Sequence, residues 1–141
     1  MHTVYLALGS NLGNRHEYMC EAIKKIQEQI GDVERQSAFY ETEPWGFSST
    51  HLFLNAVVKV KTRFCPRCLL ERTKQIEREM GRSQKTTRVE GTSLPVYSDR
   101  PIDIDILLYD DLTVDEPDLK IPHPLMYERD FVMVPLREVM D

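Results

Sequence analysis

Between Ile102 and Leu108 the chain runs Ile-Asp-Ile-Asp-Ile-Leu-Leu. Isoleucine at every second position demands an extended backbone with one buried face, because side chains alternate sides along a strand. Asp103 and Asp105 then share the opposite face, with alpha carbons about 6.6 Å apart at roughly 3.3 Å rise per residue. Aspartate is a poor strand former, and neighbouring like charges repel. The pair therefore has two readings: the solvated outer face of an edge strand, or a carboxylate pair that takes a cation. Mg²⁺ suits the second, since it favours carboxylate and phosphate oxygens.

The rest of the chain supplies partners for that strand. Thr3 to Leu8 is a β-rich run, followed by a turn from Gly9 to Gly13. Asn14, with Glu17 three residues on, resembles a capping box. Met19, Ile23, Ile26 and Ile30 then form one apolar helix stripe, with Gly31 as its left-handed closing residue. Val33 to Tyr40 predicts a second strand and Leu52 to Lys61 a third. In the third, Leu52, Leu54, Ala56, Val58 and Val60 occupy one face, and Phe53, Asn55, Val57, Lys59 and Lys61 the other. Pro66 opens a second helix with Leu69, Thr73, Ile76 and Met80 on its inner side and Gly81 at its end. After the aspartate strand come a turn at Asp110-Asp111, a short edge strand from Leu112 to Asp115 and an extended Ile121-Pro122-His123-Pro124. The stretch from Met126 to Met140 is mixed and ends near a short helix.

The order β-α-β-β-α-β plus a tail predicts an α+β, ferredoxin-like fold: an antiparallel sheet with two helices on one face and a C-terminal extension. The 141 residues fit one domain, 1–141, with a real core. If both helices cover one face, Asp103, Asp105, Phe53 and Asn55 share the other, which is open to ligand; for Phe53 and Asn55 the equal alternative is a minor cluster under the Trp45 loop.

Several function classes drop out. A net charge of −5 argues against general nucleic-acid binding, which needs a basic face. No apolar run approaches the roughly 20 residues that span a bilayer. The opening Met1-His2-Thr3-Val4-Tyr5 lacks the blocks of a signal peptide, so a cytoplasmic location is expected. Cys65-Pro66-Arg67-Cys68 is a Cys-x-x-Cys, but it follows three predicted strands rather than the first, and no second pair completes a zinc set. His2, His16 and His51 have no metal-ligand spacing.

Residues 82–100 show no period and carry Arg82, Lys85, Arg88 and Arg100. A loop of that length is uncommon unless functional or disordered. Arginines beside a carboxylate pair are what phosphoryl transfer uses, although for isolated Arg or Lys a solvated surface is the usual case. A lid that orders on ligand is the functional expectation. Neither a Gly-x-x-x-x-Gly-Lys phosphate loop nor the kinase Gly-rich set is present. His123, between two prolines in a segment of restricted dihedrals, has two readings: a contact to a phosphate or ribose, or the structural role that is commoner for a lone histidine.

Six blocks then come together in order: Gly9-Ser10-Asn11-Leu12-Gly13, Phe39-Tyr40-Glu41-Thr42, Phe53-Leu54-Asn55-Ala56, Glu77-Arg78-Glu79-Met80-Gly81-Arg82, Asp99-Arg100-Pro101-Ile102-Asp103-Ile104-Asp105 and Ile121-Pro122-His123-Pro124. They resemble the 6-hydroxymethyl-7,8-dihydropterin pyrophosphokinase family of folate biosynthesis, from about Thr3 to Glu138. The resemblance implies transfer of pyrophosphate from ATP to the pterin hydroxymethyl group, with release of AMP. The partners expected are the small-molecule substrates ATP and the pterin, with no nucleic acid or membrane, and the chain is expected to be a monomer. The resemblance also implies two Mg²⁺ ions on Asp103 and Asp105, with Arg82 and Arg100 as catalytic arginines near the phosphates. Glu77, Arg100, Ile106, His123 and Arg129 match ATP-side positions. Thr42, Trp45, Phe53, Asn55 and Phe131 match the pterin pocket, where Phe53 and Phe131 sandwich the bicycle.

The chain departs from the family pattern at Arg82-Ser83-Gln84 and at Val96-Tyr97-Ser98-Asp99-Arg100, and again at Lys74, Asp118 and Pro124. Those changes leave open which loop residues clamp ATP, with Lys85, Arg88 and Tyr97 as candidates. The alternative is a non-catalytic ferredoxin-like module that senses a nucleotide or small metabolite, which needs no paired carboxylates.

Overall fold

The computed structural model describes residues 1–11, 14–42, 52–81, 102–124 and 126–140. A five-stranded antiparallel sheet forms the frame. Strand β1 (His2–Ser10) pairs on one side with β4 (Phe53–Thr62) and on the other with β5 (Asp103–Tyr109). Strand β2 (Gly31–Gln36) extends the sheet beyond β4, giving the order β2-β4-β1-β5. A short β3 (Tyr40–Thr42) pairs with the start of β4.

Helices α1 (Arg15–Gln29) and α2 (Pro66–Glu79) lie on one face. Met19, Ala22 and Ile26 from α1 and Leu69 and Ile76 from α2 bury against Leu6, Val58, Ile104 and Ile106. The expected stripes are thus observed, with Ala22 taking a core place and Ile23 at its margin. Asn14 caps α1 through its side-chain oxygen, which accepts the Glu17 N–H at 3.2 Å.

The two glycines that close the helices act differently. Gly81 takes the left-handed φ of 96° expected after a helix. Gly31 does not: it opens β2, and a Cβ there would lie 1.9 Å from the Lys61 carbonyl oxygen. Close approach of β4 demands glycine at that position, not a left-handed turn.

The opposite face is not open along its whole length. Helix α3 (Asp130–Val139) follows a 3-10 turn (Met126–Glu128) and packs Val132, Leu136 and Val139 against Val57 and Leu107. The mixed tail therefore covers part of the face expected to be bare. Strand β5 accommodates the change with a bulge: Leu6 pairs with Ile106 and Tyr5 with Leu108, leaving Leu107 as the extra residue. Two further strands, β6 (Val114–Glu116) and β7 (Leu119–Ile121), form a separate two-stranded sheet beside α2, to which the Arg67 guanidinium ties it through Glu116 and Asp118. No described helix is long and apolar enough to cross a membrane.

Candidate functional site

The register of the sheet assembles the site. Residues opposed across antiparallel strands point to the same face. Asp103 opposes Gly9, Gly9 opposes Asn55, and Asn55 opposes Tyr40. The next row is Asp105, Ala7 and Val57. Phe53 opposes Thr42 at the end of the sheet. The carboxylates thus stand on one side of the central strand and Asn55 and Phe53 on the other, with only Gly9 and Ala7 between them. A Cβ on Gly9 would come within 3.3 Å of Asn55 Oδ1 and 3.5 Å of the Phe53 ring. Gly9 and Ser10 belong to β1, not to the predicted turn. Their turn-like composition hides a residue chosen for lack of bulk.

Above this floor is a cavity of about 570 Å³. Asp103, Asp105, Glu77, Ile106, His123, Arg129, Thr42, Phe53, Asn55 and Phe131 all line it. Every site residue expected from the sequence and within the described residues is therefore in one place. Arg82, Arg100 and Trp45 lie outside the described residues, as do Lys85, Arg88 and Tyr97. The cavity also takes in Lys74, Lys120 and Asp118, whose roles no periodicity signals.

Each wall has a physical anchor. Strand β5 is the edge of the sheet, and its outward backbone groups need partners. The buried Glu77 carboxylate of α2 accepts the Ile104 N–H at 2.8 Å. The His123 N–H donates to the Leu107 carbonyl at 3.0 Å. Helix α2 and the segment after β7 therefore clamp the aspartate strand from its outer side, which sets the direction of Asp103 and Asp105. On the far side, buried Asn55 donates through Nδ2 to Thr42 Oγ1 at 2.5 Å, and β3 carries that partner. This bond fixes the side-chain amide, leaving its carbonyl oxygen on the Gly9 side.

The electrostatics are mixed. Burial pushes the His123 imidazole below its ordinary value, the Arg129 cation pushes it further, and Asp103 opposes both. The balance favours the neutral form of the His123 ring over its charged form. The Arg129 guanidinium stands 5.6 Å from the centre of the Phe131 ring, a cation–π contact at the start of α3. Asp118, at the rim, is held below the usual carboxylate range by Arg67.

The donor set can be tested against a metal. Among the described residues no cluster of three or more His, Cys, Asp or Glu side chains exists that encloses an ion. Two carboxylates at the cavity wall do match Mg²⁺, which keeps several waters and completes its shell with substrate phosphate rather than in an all-protein cage.

A family model described as 7,8-dihydro-6-hydroxymethylpterin-pyrophosphokinase matches residues 5–141. The chain is 50% identical over 140 residues to the 2-amino-4-hydroxy-6-hydroxymethyldihydropteridine pyrophosphokinase of Porphyromonas gingivalis, covering 99% of this chain and 91% of that one. It is 42% identical over 139 residues to the protein of the same name from Aquifex aeolicus, covering 99% and 81% of the two chains. Among solved structures it resembles an HPPK-DHPS crystallised in complex with substrates, with a TM-score of 0.72 at 14% identity. That likeness is one of fold; it covers 98% of this chain and 40% of the other.

Proposed function

The chain belongs to the 7,8-dihydro-6-hydroxymethylpterin-pyrophosphokinase family, and on that footing we propose that its cavity seats ATP and the pterin alcohol on either side of Gly9. The reaction transfers pyrophosphate from ATP to the hydroxymethyl group of 6-hydroxymethyl-7,8-dihydropterin and releases AMP. It is a step of folate biosynthesis, which we assign to the cytoplasm. We read the strand order β2-β4-β1-β5, with α1 and α2 on one face, as a ferredoxin-like fold. The chain acts as one catalytic domain, 1–141, and as a monomer.

Asn55 and Thr42 read the polar edge of the pterin, and Phe53 and Phe131 cover its rings. The Thr42 bond keeps the Asn55 amide from rotating, so its carbonyl oxygen presents a fixed acceptor. On the other side, Arg129, neutral His123 and Ile106 take the nucleotide, together with Arg100. Glu77 holds β5 in place through Ile104, which makes it a positioning residue as well as an ATP-side wall. Asp103 and Asp105 hold Mg²⁺, two ions in this proposal. Bound there, the metal would supply neutralising charge to the phosphates. Arg82 and Arg100 add cationic charge to the transferred group. In-line attack needs the hydroxymethyl oxygen and the β-phosphorus held together, and the narrow Gly9 floor allows that approach. Positioning and charge carry most of phosphoryl transfer, so no dedicated base is required.

One observation carries this reading: the row Asp103, Gly9, Asn55 places carboxylate and amide on one face with no side chain between them. Purified chain with ATP, Mg²⁺ and the pterin alcohol should release AMP only when all three are present. AMP release independent of the pterin, or none at all, overturns the assignment.

A further inference from the structure

Cys65 and Cys68 stand outside the cavity and outside the proposed reaction. Helix α2 begins between them, with Cys65 as its extended capping residue and Pro66 in its first turn. The Cys65 Sγ accepts the Cys68 backbone N–H at 3.4 Å, so the helix start itself turns that sulfur toward residue 68. With a rise of about 1.5 Å per residue, alpha carbons three apart in a helix are roughly 5 Å apart. That is inside the span of roughly 4.4–6.8 Å that disulfides bridge. Both thiols are exposed.

The frame around them is fixed. Phe64 is held at its N–H by Thr62 Oγ1 at 3.2 Å and at its carbonyl by the Tyr109 hydroxyl at 2.5 Å. Arg67, between the thiols, grips Asp118 at 2.6 and 3.0 Å and Glu116 at 2.9 Å. The two sulfurs also differ. The Cys68 backbone N–H, then its thiol, hold Cys65 below its ordinary pKa. Cys68 is pushed up, first by its hydrogen bond to Cys65 and then by the charge there. A low-pKa thiol at a helix start beside a second thiol is the arrangement of an attacking and a resolving cysteine.

We propose that Cys65 and Cys68 form a reversible thiol–disulfide site that exchanges with low-molecular-weight disulfides, Cys65 attacking and Cys68 resolving. The Cys65 thiolate attacks one sulfur of R–S–S–R; a Cys65–S–S–R bond forms, and R–S⁻ leaves and takes a proton. Cys68 loses its proton to water and attacks the Cys65 sulfur; the protein disulfide forms and the second R–S⁻ leaves. Two protein thiols are oxidised and one small disulfide is reduced to two thiols. The place of the pair after β4 argues against a dedicated oxidoreductase domain. It leaves exchange at a helix start untouched.

The test uses the reduced full chain and oxidised glutathione, with acid quench, intact mass and peptide mapping. Cys20, exposed in the middle of α1, is the internal control. The wild-type chain should accumulate the Cys65–Cys68 disulfide, reversed by dithiothreitol. C68S should stall as a Cys65–glutathione adduct that forms about tenfold faster than the adduct at Cys20, as expected of a thiol at a helix start. C65S keeps a capping oxygen and should still fold, as a thermal melt will verify, yet form no internal disulfide. Equal adduct rates at Cys65 and Cys20 in C68S, or wild-type chain that keeps glutathione on Cys65 beside a reduced Cys68, overturns the proposal. None of these readouts depends on turnover.

Discussion

The face of the sheet opposite α1 and α2 is two regions built on the same three strands. In one, Asp103, Gly9 and Asn55 form the floor of the cavity. In the other, Val57 and Leu107 bury beneath α3. Along β4 the change from Asn55 to Val57 takes a single step of the pleat, and along β5 the change from Asp105 to Leu107 does too. Across the sheet, Ala56 and Ile104 remain in the apolar core throughout. A strand can therefore carry a site on one side while its other side holds the fold together. What distinguishes the two halves is bulk and charge in a few residues, together with the bulge that places Leu107 beneath α3.

If that division is real, substitutions in the two halves should fail in different ways. The largest effect belongs to the carboxylates. Asp103→Asn and Asp105→Asn each remove a charge at the cavity without changing shape, and each should lower kcat by about 10²–10³-fold, the scale of losing one electrostatic stabiliser. Their melting temperatures should stay close to that of the parent. A double variant with full AMP production would erase the distinction between the halves. Leu107→Ala should do the reverse. It empties a fully buried position beneath α3 and should cost about 2–5 kcal/mol of stability in urea melts, with kcat per folded molecule little changed.

Gly9→Ala probes the boundary. The added methyl meets Asn55 Oδ1 and Phe53 on the proposed pterin side. KM for the pterin should rise about tenfold, equivalent to about 1.4 kcal/mol of binding. KM for ATP should hold steady. Equal changes in both constants would mean that the floor serves one undivided site.

The same boundary limits what the sequence alone reveals. The buried stripes were legible because periods of two and 3.6 leave many independent marks: Val58 and Val60 on β4, Met19 and Ile26 on α1. The paired aspartates were legible because they violate strand composition. Phe53 and Asn55 follow from the alternation of their strand, whereas Thr42, Glu77, Ile106, Arg129 and Phe131 rest on resemblance: Thr42 meets Asn55 only through the pairing of β3 with β4, and a three-residue strand leaves no period. Gly9 and Gly31 looked like turn residues because composition cannot tell a glycine that bends from one that makes room. The bulge at Leu107 and the packing of α3 depend on contacts far apart in the chain, and Pro135 inside that helix masks its pattern further.

The smallest expected effect concerns His123, which touches both sides of the division: its backbone bonds Leu107 and its ring lines the cavity. Burial and the Arg129 charge keep its folded pKa below the unfolded value. The unfolded chain therefore binds more protons as acidity increases, and stability must rise with pH through this range. The contribution is complete above the ordinary imidazole value of about 6.5 and is lost as pH falls from there toward the folded pKa. His123→Gln keeps a hydrogen-bonding side chain but removes the titration. Between about pH 7 and 5 its melting temperature should fall less than that of the parent, because the difference between the two curves isolates this one group from the acidic residues. Parallel curves would show that the ring titrates alike in both states, and that its burial between Arg129 and the aspartate strand does not hold in solution.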